Sequence, residues 1–82
     1  MPEFALTVHD QWSVDTVMSI LDDAQKDGSF DEAIRWLNNV DLKQLRQRLE
    51  VKSTKEERAK LVLTLYPGLF FFVALRLGED IS

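Results

Sequence analysis

The sequence predicts an all-α fold: a compact bundle of about five short helices with an N-terminal extended arm. Three observations carry this. Apolar residues recur at three- and four-residue spacing in successive stretches. Ser or Asp caps stand ahead of these stretches, and Gly follows two of them. The one partly alternating segment, Glu3-Phe4-Ala5-Leu6-Thr7-Val8-His9, has no second strand nearby to pair with. It is therefore expected to lie as an arm across the helices, anchored by Phe4 and by Leu6 or Val8.

The first helix is expected over about 14–26. Ser13 can accept a bond from the free N–H groups of its first turn. Val14, Val17, Met18, Leu21 and Ala24 then form a stripe that Ile20 widens. Asp15 suits the positive helix start, Lys26 suits the negative end, and Gly28 ends the helix. The second helix is expected over about 30–39. Ser29 and Glu32 have capping-box spacing, and Phe30, Ala33, Ile34 and Leu37 share a face with Trp36 beside it. Asn38 and Asn39 weaken its end.

Asp41 is a cap for a third helix, about 42–51, whose stripe is only Leu42, Leu45 and Leu49. Ser53 and Glu56 form a second box for a fourth helix, about 55–66, with Glu56 and Lys60 as an i,i+4 pair. Pro67 interrupts the ladder but is at home in the first turn of a fifth helix, about 68–77, which Gly78 stops. The rival is an α+β fold in which Tyr66-Pro67-Gly68-Leu69 is a type II turn and 61–77 is a β-hairpin. Helices are favoured. Two-residue hairpins take the mirror-image turns, and no breaker interrupts the run from Ser53 to Pro67.

The chain has 82 residues, no Cys and one His. A single domain, 1–82, is expected. Without Cys there is no disulfide framework, no zinc–thiolate site and no thiol nucleophile. His9 has no evident catalytic partner, and Gly28, Gly68 and Gly78 are isolated rather than grouped in a phosphate-binding loop. The protein is expected not to be an enzyme, and no catalytic, cofactor-binding or metal-binding residue is proposed. Residues 23–34 are similar to a calcium loop at Asp23, Asp27, Gly28, Phe30 and Asp31. Gln25 and Ile34, however, stand at its third and twelfth positions, where ligand oxygens are needed. Residues 27–34 resemble the inter-helix turn of a tetratricopeptide repeat. The position one repeat after Gly28 is Val62, inside an apolar run, so the likeness implies a helical hairpin only.

Charge is unevenly placed. The net charge is −4 overall. Residues 1–42 carry nine acidic and two basic side chains, whereas 43–60 carry seven basic and three acidic. Such halves attract each other or complementary partners. In length and charge layout the chain is similar to death-fold interaction modules, though no family motif is matched. Residues 61–77 are apolar on nearly every side. A helix of that kind must be covered all round, and three other short helices leave part of Phe70–Leu77 for a second chain.

The function expected is therefore a non-enzymatic protein–protein interaction or adaptor domain, self-associating and regulatory. Its partner is another protein or a second copy in a homodimer. Trp36, Phe70, Phe71, Phe72 and Leu75 are the apolar contact candidates, and Arg46, Arg48 and Arg58 the polar ones. The first alternative is a nucleic-acid-binding regulator using the basic span 43–60. That span lacks interleaved aromatics, so nucleic acid is not the expected partner. The second alternative is a small membrane-associated subunit seated by 61–77. Seventeen residues broken by Pro-Gly are short of the roughly 20 that a span needs, so a membrane is not expected either. The N-terminus lacks a basic start and a long apolar run, so no secretory signal is expected and the location is expected to be cytoplasmic.

Overall fold

A computed structural model describes residues 10–28 and 31–78, apart from the side chain of Glu32. It is all-helical, with no strand among the described residues. Five helices follow one another: α1 (Val14–Asp27), α2 (Asp31–Leu37), α3 (Leu42–Glu50), α4 (Lys55–Leu65) and α5 (Pro67–Leu77). The expected arm, 3–9, and the expected box cap at Ser29 lie outside the described residues.

The local signals explain most of the boundaries. Ser13 is extended, and its Oγ accepts the Thr16 N–H at 3.2 Å. Gly28 closes α1 at φ 63°, a left-handed conformation that glycine adopts without steric cost. Asp41 Oδ1 accepts the Lys43 and Gln44 N–H groups at 3.1 and 3.2 Å. Gly78 ends α5 at φ 75° and donates to Leu75 O.

Most helix ends fall within one residue of the sequence reading, but the end of α2 and the capping box of α4 differ from it. α2 stops at Leu37 rather than about 39, because Asn39 N–H and Val40 N–H turn to the carbonyls three residues back, Trp36 O and Leu37 O. Asn39 Nδ2 also donates to Arg35 O. The box of α4 is formed by Thr54 and Glu57, one residue later than Ser53 and Glu56. Glu57 Oε1 accepts from Thr54 N–H, Ser53 N–H and Ser53 Oγ together, so this frame satisfies more donors from one carboxylate.

The β-hairpin alternative at 61–77 is replaced by two helices joined through a single residue. Tyr66, at φ −140°, ψ 77°, leaves the α region, which a following proline disfavours. Its N–H donates to Val62 O, ending α4, and its C=O accepts from Phe70 N–H, starting α5. Pro67 takes the first position of α5, where no N–H partner is missed.

The helix α5 is the centre of the fold and packs against α1, α2 and α4, while α3 leans on α1. Leu69, Phe70, Phe72, Val73 and Ala74 of α5 are buried beside Val17, Leu21 and Ala24 of α1, Leu37 of α2 and Val62 of α4. Trp12 precedes α1, is 1% exposed and stacks on Phe70 with ring centroids 5.4 Å apart. It stands just before the Ser13 cap, with Val17 four positions into the helix and also buried. That is the spacing of a hydrophobic staple. No buried polar side chain interrupts this core among the described residues.

Candidate functional site

The eight residues singled out from sequence separate into three groups. Phe70 is fully buried and Phe72 is 6% exposed, so neither is available to a partner. The cause is the fold's demand on α5. At 3.6 residues per turn, positions 69, 70, 72, 73 and 74 fall in an arc of about 200°. The helices α1, α2 and α4 and the Trp12 ring cover that arc.

Trp36, Phe71 and Leu75 remain 41%, 48% and 64% exposed. The structure brings them together. Positions 68, 71 and 75 fall within about 60° of one another on α5. At the first of these Trp36 of α2 replaces the missing side chain. A Cβ on Gly68 would run into Nε1, Cε2 and Cδ1 of the indole, so Trp36 lies directly against the Gly68 backbone. Phe71 is held by an edge-to-face contact with buried Phe70, at 5.4 Å between centroids. The result is a seam without charge, running Trp36, Phe71, Leu75 along the open side of α5. Its exposed area is roughly 300 Å², taking ordinary areas for these side chains.

The arginines behave differently. Arg46 Nη2 donates to Asp15 Oδ1 at 2.6 Å and Nε donates to Glu50 Oε2 at 3.1 Å, tying α3 to α1. Its hydrogen bond to the Asp15 carboxylate raises the Arg46 pKa above its already high value. Arg58 Nε donates to Trp12 O at 2.7 Å and Nη1 donates to Lys52 O at 3.0 Å. It fixes the two loops that enter α1 and α4, and its guanidinium is already engaged by backbone. Arg48, in the last turn of α3, is exposed and has no partner among the described residues.

Part of the charge asymmetry is thus used internally. Asp15–Arg46 and Asp10–Lys55, the latter at 2.7 Å, both join the acidic segment to the basic one. Asp10, acting first through its hydrogen bond, raises the Lys55 pKa. An open groove of about 480 Å³ between α1 and α3 has Met18 and Leu42 in its lining, with Asp15, Asp22, Lys43 and Arg46 around them. Opposite charges share this lining, so it offers no net preference for an anion or a cation. Glu56 and Lys60 make no ion pair among the described residues.

Sequence reasoning missed Gly68 as the seat of Trp36. Nothing local to Gly68 points to α2. It also left Trp12 without a place, although the staple spacing to Val17 was a usable signal. Among the described residues no group of three or more His, Asp or Glu could hold a metal ion, and no helix is long and apolar enough to cross a membrane. No protein-family model, no curated protein and no solved structure matches this chain.

Proposed function

We propose that the domain is a non-enzymatic protein–protein interaction module, self-associating and regulatory, which binds through the uncharged seam of Trp36, Phe71 and Leu75. The supporting observation is that α5, apolar on nearly every side, is covered by its own chain over only part of its circumference. Three large apolar side chains in one continuous patch are what the core of a protein interface is built from. Arg48 lies outside that seam, on α3, and is the one candidate arginine left uncommitted among the described residues. A cytoplasmic setting belongs to the same proposal and suits a cysteine-free chain.

The test is capture from native lysate with and without nuclease, using wild type beside a Phe71→Asp, Leu75→Asp double variant of matched circular dichroism. A specific protein retained by wild type in the presence of nuclease and lost by the variant supports the reading. Retention that is equal for both proteins, or that disappears with nuclease, counts against it.

A further inference from the structure

We infer that a second copy docks on this seam in one defined arrangement. The two α5 helices pack antiparallel about a two-fold axis at Phe71, so that Phe71 meets the partner's Phe71 and Trp36 meets the partner's Leu75. This rests on the self-association reading above and specifies its geometry.

The spacing carries the argument. The seam has members at positions 68 (occupied by the Trp36 indole), 71 and 75, a three-then-four interval like that of paired helices. Their midpoint is Phe71. Turning the seam end for end about that point lays position 68 on position 75 to within about one residue, or about 1.5 Å along the axis. The seam is therefore its own complement in the antiparallel sense, which a closed two-fold contact requires. A parallel pairing would set Trp36 on the partner's Trp36 at one end and Leu75 on the partner's Leu75 at the other. Two indoles facing each other would hold the helices apart there and leave the leucines short of contact. The antiparallel pairing matches the largest side chain with a smaller one at both ends and also opposes the two helix dipoles.

Apolar area favours the contact and net charge opposes it. A standard interface buries about 800 Å² on each partner, of which about 60% is apolar. The seam provides roughly 300 Å² of that as a central core. The exposed Arg35 and Arg76 belong to the same two helices and suit a rim. Each copy carries a net charge of −4, so two copies repel, yet the seam contains no charge. Raising salt from about 0.05 to about 0.5 M screens the repulsion and should leave the dimer constant unchanged or tighter. Head-to-tail docking of an acidic face on span 43–60 would weaken over the same change.

The chain has no native Cys, so single cysteines report register cleanly. Sedimentation equilibrium of wild type comes first, followed by mild oxidation of Phe71→Cys, Leu75→Cys and Arg48→Cys, each confirmed folded by circular dichroism. The expected result is a wild-type dimer whose Phe71→Cys variant cross-links to a disulfide dimer. The Leu75→Cys variant should fail to do so, since position 75 sits about 12 Å from its symmetry mate along the axis, beyond disulfide reach. Arg48→Cys, on another face, should stay reduced. A dimer in which Leu75→Cys links as readily as Phe71→Cys overturns the antiparallel register, and one in which Arg48→Cys links fastest overturns the seam. Either outcome leaves self-association standing. A wild-type monomer at several hundred micromolar overturns this inference and self-association together, and the lysate capture then decides whether a different protein covers the seam.

Discussion

At the scale of single residues, Gly68 shows how a contact between distant segments fixes an identity. Its φ is not in the left-handed region, so conformation alone does not demand glycine. Space does. A methyl group at that position would overlap the Trp36 indole, so either the ring or the start of α5 must shift. Gly→Ala inside a helix normally stabilises by about 1 kcal/mol. Overpacking costs about 1–3 kcal/mol and here outweighs that gain. Gly68→Ala is accordingly expected to lower stability in urea unfolding. The same substitution made in a Trp36→Ala background should be neutral or stabilising, because the obstructing ring is gone. A destabilisation of equal size in both backgrounds would show that the indole is not what excludes the methyl. Nothing in the sequence around Gly68 foretold this, since the other half of the contact is 32 positions away on α2. The exposure of Trp36, by contrast, was legible from its place beside the stripe of Ala33, Ile34 and Leu37.

At the scale of elements, the caps were the most legible features. Ser13, Gly28, Asp41 and Gly78 act where their chemistry suggests, since capping is decided within a few residues. The α4 box was legible in kind but displaced by one position. Ser53 and Thr54 are adjacent, and each has a glutamate three residues later, so spacing alone does not choose between them. The chosen frame gives Glu57 backbone N–H donors at both Ser53 and Thr54, and these hydrogen bonds hold its pKa below the ordinary glutamate value. A carboxylate whose folded pKa is depressed stabilises the fold above its unfolded pKa, and that contribution is lost as pH falls through the folded value. Wild type should therefore lose stability more steeply on acidification through the carboxylate range than Glu57→Gln does, with the two curves converging at the acid end. Thermal unfolding over a pH series measures this. Parallel curves would mean that the box carboxylate contributes nothing pH-dependent. Thr54→Ala should cost about 1 kcal/mol at neutral pH by removing the other half of the box.

At the scale of the whole molecule, the decisive feature is how the chain distributes three consecutive phenylalanines. Periodicity located α5 but could not orient it, because the helix has no polar face to turn outward. Which of Phe70, Phe71 and Phe72 faces solvent is settled by α1, α2 and α4 and by Trp12 stacking on Phe70. Two of the five apolar contact candidates therefore went to the core and three to the surface. On the proposed reading, this division separates folding from association at neighbouring positions. Phe70 is fully buried at the meeting point of Trp12 and α5, and Phe→Ala at such a site costs about 3–5 kcal/mol. A domain of this length has a total stability of about 4–12 kcal/mol, so Phe70→Ala should be largely unfolded or close to it. Phe71 is half-exposed, and its truncation gives up only the edge contact with Phe70 and part of its burial. Phe71→Ala should keep its helical circular dichroism and most of its urea midpoint, while its dimer dissociation constant rises at least tenfold in sedimentation equilibrium. Equal losses of stability in the two variants would mean that Phe71 belongs to the core. An unchanged dimer constant in folded Phe71→Ala would mean that the open side of α5 takes no part in association.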